Sequence, residues 1–253
     1  MALLADAASF LASFVAVLTV APPLLAEATV APPNGAFRSE FAAGLRFFRR
    51  SRVLVAIAVA MGIVTFGAGA LNTLDVFFAT KNLGTAAKNY GVLSGAFGAG
   101  MLLGSVLSGT AAARVGLERL VWGALGVVGL LILVYARLAS FAPAVVVLFF
   151  AGVVIPAIEV SVGPLVLRAT PRAFVGRVSA TLNPLTNATS ILGMLLGGVL
   201  YSTVLHNLHA RVLGVGIGPL DTIFTGVGLL CLVGAAYAAA NLPREQAGGT
   251  ATR

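Results

Sequence analysis

Long apolar runs, broken by short clusters of charged, proline and glycine residues, organise the whole chain. They lie near residues 6–25, 53–79, 90–113, 120–138, 141–167, 178–205 and 218–241. Each approaches the length a helix needs to cross the hydrocarbon core of a bilayer, about 20 residues. The pattern predicts an all-α membrane protein with about seven transmembrane helices. The first run has the length of a secretory leader. MALLAD, however, offers an acid and no Lys or Arg ahead of it, so it reads as a span whose end Pro22 and Pro23 interrupt.

The breaks divide the chain into a first span (1–25), a linker (26–52), a six-helix bundle (53–241) and a polar tail (242–253). The linker opens on the proline-rich EATVAPPNG and continues as FRSEFAAGLRFFRRSR. There Phe41, Leu45 and Phe48 recur at helical spacing, while Arg46, Arg49 and Arg50 take the rest of the circumference. That division predicts an amphipathic helix lying along anionic headgroups.

Composition supports the bilayer as solvent. Hydrophobic residues make up 59% of the chain and charged residues 9%, with a mean hydropathy of +1.02. Soluble domains carry about 25% charged residues, so this chain has too few to cover a water-facing surface. The net charge of +8 is no sign of nucleic-acid binding, because the cations cluster at the ends of apolar runs. With the N-terminus outside, twelve of the 16 Lys and Arg residues fall on the cytoplasmic side. The positive-inside rule then places a multi-pass protein in the cell membrane, N-terminus out and C-terminus in. Cys231, the single cysteine, excludes an internal disulfide and reads as a packing residue.

Small residues mark where helices can approach closely. GVLSGAFGAGMLLGSVLSG brings Gly95, Gly100 and Gly104 to near-helical repeats, and ILGMLLGG does the same with Gly193 and Gly197. Such positions let helix backbones touch in lipid, where apolar side chains gain little from leaving the solvent.

Ionisable residues within the runs are the candidate chemistry. Glu159 sits between Pro156 and Pro164, nine residues before Arg168. That puts it about 13 Å along the helix from the arginine, too deep for the interface. A central acid costs about 2.5–3.5 kcal/mol to insert and usually faces a cavity or a partner. It could accept a proton, contact a cationic solute, or make a structural bond inside the bundle. Asp75 lies near a run's outer end, where interfacial solvation competes with a functional role, and it shares a face with Asn72. His206 and His209 share a face but lack a third ligand nearby, so no metal site is expected. The phosphate-binding GxxxxGK[ST], HExxH and GxSxG patterns are missing. The reading is therefore of a non-enzyme without a cofactor, whose partners are the lipid bilayer and a small-molecule substrate. The apolar bundle suits a hydrophobic or amphipathic solute better than a sugar phosphate, which would need cation clamps. An inverted three-plus-three repeat is not legible in the residues.

In order and spacing, EFAAGLRFFRRSRVL, GALNTLDVFFATKNLG, YGVLSGAFGAGMLLGSVLSG and TAAARVGLERL resemble the second half of a major facilitator superfamily transporter. The flavour is that of the bacterial drug-efflux and siderophore-export group. PRAFVGRVSATLNPLTNATSILGMLLGGVL is similar to the same group's run into its penultimate helix, with Gly176, Arg177 and Val178 matching GRV. DAASFLASFVAVLTV matches the sixth helix of twelve. The resemblance implies alternating access between two six-helix halves, and proton-coupled efflux of a small molecule. It also implies a gating loop of the form GxxxDRxGRR. On SGTAAARVGLERL, Gly109, Arg114, Gly116 and a later arginine, Arg119, match that loop, while Ala113 stands at the aspartate position. Only helices six to twelve of the family plan are represented. The expectation is of a truncated half of a carrier, with two alternatives: a half-size protein pairing with a partner chain or a second copy, or a membrane scaffold or regulator.

Overall fold

The computed structural model describes residues 2–19, 46, 48–86, 89–171, 174–204, 210–212 and 215–242, with only the backbone at 2–6, 19, 177, 204, 210–212 and 215–217. Phe41, Leu45, His206, His209 and the tail beyond 242 lie outside the described residues. Contacts divide the chain into two units, Met1–Ser39 and Glu40–Arg253.

The first unit contains α1, Ala2–Thr19. Its apolar stretch, Ala7–Leu18, is shorter than a membrane span. The expected span over 6–25 is thus a shorter apolar helix among the described residues.

The second unit holds six helices long and apolar enough to cross a membrane. They are α2 (Arg52–Lys81), α3 (Tyr90–Val115), α4 (Leu117–Tyr135), α5 (Phe141–Ala169), α6 (Val175–Val199) and α7 (Pro219–Asn241). Local chemistry sets their ends. Ser51 caps α2 by accepting the Leu54 N–H at 3.4 Å. Pro219 opens α7, and the Asp221 carboxylate accepts the Gly218 N–H at 2.9 Å. Helix α6 runs on into a π turn, Leu200–Val204. A small antiparallel hairpin follows, β1 (Ala210–Val212) on β2 (Val215–Ile217), with Arg211 opposite Gly216. Ahead of α2, Phe48 is buried in the core formed with Leu54, Leu165 and Leu242, while Arg46, Arg49 and Arg50 are exposed.

The expected loop SGTAAARVGLERL is not a loop. Helix α3 continues through Gly109 and Arg114 to Val115, and only Gly116 breaks it before α4 begins. Gly116 can do this because its φ of 88° lies in the left-handed region open to glycine. Its N–H still reaches Ala112 and its carbonyl already accepts the Leu120 N–H, at 3.1 and 3.0 Å. Arg114 and Arg119 are exposed on either side of the break.

Packing joins helices that are distant in sequence: α2 to α6, α3 to α5, and α4 to α7. Glycines set the first two crossings in one register. A Cβ at Gly69 would strike the carbonyl of Ser190, three residues before Gly193, and a Cβ at Gly193 would strike that of Phe66, three before Gly69. Gly152 and Phe97, and Gly100 and Phe149, repeat the relation between α5 and α3. Between α4 and α7, Gly129 and Gly228 face each other's carbonyls at 2.9 and 3.0 Å. Exchanging α2–α4 with α5–α7 therefore maps every crossing onto another or onto itself. This is a three-plus-three repeat carried by backbone contact.

Of the glycines singled out for packing, Gly100, Gly104 and Gly193 meet backbone, and Gly197 meets Ala70 at 3.3 Å. Gly95 does not pack in this way: nothing lies within 4 Å of a Cβ placed there. It falls on the exposed side of α3, one residue off the stripe that faces α5.

Candidate functional site

Four consecutive helices, α2 to α5, enclose a cavity of about 280 Å³. Its walls are mostly apolar, with Leu71, Leu93, Val128, Ile132, Leu148 and Ile155 among them. The polar exceptions are Asn72 and Asp75 on α2, Tyr90 and Ser94 on α3, and Tyr135 on α4. Among the described residues Asp75 is the only carboxylate in the lining, and no Lys, Arg or His among them joins it. The i, i+3 spacing of Asn72 and Asp75 aims both side chains at one cavity, which is the shared face expected of them.

Aromatic packing positions the carboxylate's partner. Tyr135, the last residue of α4, is buried with its ring centroid 4.8 Å from that of Phe78 on α2 and 5.7 Å from that of Phe224 on α7. Phe78 stacks on Phe224 at 4.7 Å. Such ring clusters favour tilted and offset geometry, and this one fixes the Tyr135 ring so that its hydroxyl donates to Asp75 Oδ1 at 2.8 Å. Tyr90, at the start of α3, is also within reach of the same carboxylate. Asn72 is exposed and donates to the Ala68 carbonyl at 2.7 Å.

Among the described residues, the nearby cations Lys81 and Arg137 are engaged elsewhere. Lys81 donates to the Tyr201 hydroxyl at 2.7 Å, with the Tyr201 ring centroid 5.4 Å away. Arg137 reaches Thr225 at 3.4 Å. Asp221 is buried, and each of its carboxylate oxygens accepts a hydrogen bond, from the Gly218 N–H and the Asn82 side-chain amide. It ties the α2–α3 connection to the start of α7, which is a structural role.

Glu159 lies away from the cavity, exposed on α5 together with Gly163. Exposed Asn183 and Asn187 occupy comparable depth on α6. Gly176 is exposed in the first turn of α6, with open space where a Cβ would stand. The structure therefore unites Asn72 with Asp75 and separates both from Glu159 and from the α3–α4 turn. Sequence reasoning missed Tyr90, Tyr135, Ser94 and Phe97. Two of the four tyrosines in the chain face one acid, but their positions at helix ends read equally well as interfacial aromatics.

A further buried acid was also missed. Glu118, in the first turn of α4, is 8% exposed, and its Oε2 lacks a hydrogen-bond partner among the described residues. An acid in the first helical turn interacts favourably with the helix dipole.

Comparison with known proteins adds the family. Neither a curated protein nor a solved structure matches the chain. A family model described as transmembrane secretion effector, a major facilitator group, matches residues 1–243. With that match over nearly its whole length and six helices long and apolar enough to cross a membrane, the chain belongs to the transmembrane secretion effector family of the major facilitator superfamily and is a multi-pass membrane transport protein.

Proposed function

We propose that the α2–α5 cavity is a solute site in a proton-coupled exporter of hydrophobic or amphipathic small molecules, with Asp75 as the coupling carboxylate. One observation carries this reading: an apolar cavity inside the bundle contains a single acid among the described residues, and a tyrosine hydroxyl holds that acid in place. Apolar walls with a few convergent polar groups are the usual form of a small-molecule site. The carrier works by alternating access in the cell membrane, with the arginine-rich helix ends and the C-terminus inside. The chain corresponds to the C-terminal half of the drug-efflux and siderophore-export plan, and the Gly116 break, flanked by Arg114 and Arg119, stands where that plan has its gating loop. Gly176 and Arg177 open α6 at the same end.

The α5–α6 face favours a second helical half in the working carrier, in this polypeptide, a second copy or another chain. Glu159, Asn183 and Asn187 are exposed on it at mid-depth. A carboxylate facing lipid there costs about 2.5–3.5 kcal/mol, whereas protein or a water-filled path would solvate it.

Transport of an amphipathic dye into proteoliposomes under a pH gradient tests the assignment. Asp75→Asn should abolish gradient-driven transport while leaving membrane insertion and thermal stability intact. Transport by Asp75→Asn at the unmodified rate would remove Asp75 from coupling. Loss confined to Glu159→Gln would move coupling to the α5–α6 face.

A further inference from the structure

We infer that the groove between α3 and α4 binds an anionic phospholipid, with its phosphate against Arg119 and an acyl chain along the groove. This groove shares no lining residue with the α2–α5 cavity and does not depend on how that cavity is used.

Packing makes the groove. Helices α3 and α4 both pack closely on α5 and hardly on each other. Their separation leaves a space of about 340 Å³, with Val153 and Ala157 of α5 between them. The lining on α4 runs from Arg119 to Val127, about 12 Å at the helical rise. That is nearly the depth of one leaflet of a hydrocarbon core about 30 Å thick. The end at the α3–α4 turn holds the exposed Arg119, and the walls beyond it are almost wholly apolar. Among the described residues Arg119 is the only charged one in the lining, and the adjacent acid, Glu118, is buried outside it. A cation at the membrane surface over an apolar slot one leaflet deep matches the layout of a phospholipid. A free phosphate would have no use for the slot.

The internal repeat supplies a control. In the register of the glycine crossings, Gly104, Gly123 and Val153 correspond to Gly197, Thr222 and Ala70. The latter three line a second groove of about 310 Å³, between α6 and α7 at the opposite end of the bundle. Arg119 corresponds there to Gly218, and no charged residue among the described ones lines that groove. Apolar chains gain little by leaving lipid for apolar walls, so walls alone give no choice of lipid. A guanidinium binds phosphate through paired hydrogen bonds, and basic pockets between membrane helices hold anionic head groups. Arg119 therefore makes the α3–α4 groove the selective one.

Trp122, the single tryptophan, is exposed on α4 three residues after Arg119, so its fluorescence reports lipid held there. The full chain is placed in phosphatidylcholine nanodiscs with a small, equal fraction of dibrominated phosphatidylglycerol or dibrominated phosphatidylcholine, whose bromines quench tryptophan. Quenching should show about fivefold enrichment of the phosphatidylglycerol, which corresponds to about 1 kcal/mol. Arg119→Gln should bring the two lipids to within about twofold of each other. Arg114→Gln removes an exposed charge outside the groove and should keep most of the preference. Gly123→Leu should lower it by filling the groove, since a Cβ at Gly123 meets nothing within 4 Å. Equal quenching by the two lipids, or a preference that survives Arg119→Gln or Gly123→Leu, would overturn the inference. Equal losses from Arg114→Gln and Arg119→Gln would also overturn it, by showing a diffuse attraction to the basic end. Displacement of the lipid by glycerol phosphate would overturn it too, by assigning the site to a soluble anion.

Discussion

The α2/α6 and α3/α5 crossings share a backbone plan and differ in what they carry. Each brings two parallel helices together through reciprocal glycines in the same register, Gly69 with Gly193 and Gly152 with Gly100. Four residues before the glycines, the first crossing has Thr65 and Thr189, whose hydroxyls lie 2.7 Å apart. The second has Leu148 and Ala96 at those positions, and Leu148 faces the cavity. The same register sets Asp75 on α2 against Ile158 on α5, and Tyr135 on α4 against Gly234 on α7. Both counterparts are buried and neither has a polar side chain. The repeat duplicates close packing but not chemistry. The charged, hydrogen-bonded pair belongs to α2–α4 alone, and the cavity lies where that repeat meets α5.

Substitution at the crossing glycines should have the largest effect. A methyl group at Gly100 or Gly193 meets a carbonyl oxygen of the facing backbone, which cannot swing aside as a side chain would. Overpacking of this kind costs about 1–3 kcal/mol. Gly100→Ala and Gly193→Ala should therefore lower the thermal unfolding midpoint in detergent by similar amounts. Gly95→Ala, with open space around it, should leave the midpoint unchanged or raise it, since alanine is the better helix former by about 1 kcal/mol. A tolerant Gly100 beside an intolerant Gly193 would show that the two crossings are not equivalent in energy.

These crossings also show where the sequence stopped being informative. The six spans of the bundle were legible to within a few residues, because hydropathy and helix length respond to the same bilayer thickness. Glycine periodicity marked Gly100, Gly104 and Gly193 as contact positions, but spacing along one helix does not name the partner helix. The partners proved to be non-neighbours, which is why the repeat stayed hidden until Gly69 and Gly152 supplied the other half of each contact. The acids were legible as expensive residues, yet depth along a helix says nothing about which face is covered. Glu159 is deep and exposed, whereas Asp75, nearer a helix end, lines the cavity. Its partner Tyr135 lies 60 residues away on α4. The α3–α4 turn was misread because arginines beside glycines suggest a loop, while a single left-handed glycine suffices to reverse the chain.

Removing the Tyr135 hydroxyl probes the pair that the other repeat lacks. Tyr135→Phe keeps the ring against Phe78 and Phe224 but deletes the donor to Asp75. A hydrogen bond to a charged group contributes about 1.5–3 kcal/mol, and water entering the cavity would return part of it. The net loss of stability should be about 1 kcal/mol. An unchanged midpoint would mean that the Asp75–Tyr135 contact orients the carboxylate without stabilising the bundle.

The smallest expected effect separates the two crossings most directly. Thr65 and Thr189 bond each other across α2 and α6, but each also lies within hydrogen-bonding distance of backbone in its own helix. Thr65 reaches the Met61 carbonyl at 2.9 Å, and Thr189 the Thr186 carbonyl at 2.9 Å. Losing the partner therefore leaves neither hydroxyl stranded. Interhelical hydrogen bonds in membranes average about 0.6 kcal/mol in double-mutant cycles, so a cycle through Thr65→Val and Thr189→Val should give a coupling near that value. A coupling above about 2 kcal/mol would exceed the range seen for such bonds, and would make the polar pair, rather than the glycines, the main restraint on the α2/α6 crossing. The α3/α5 crossing, with Leu148 and Ala96 in the same positions, would then be the looser of the two and the one free to shift as the cavity fills.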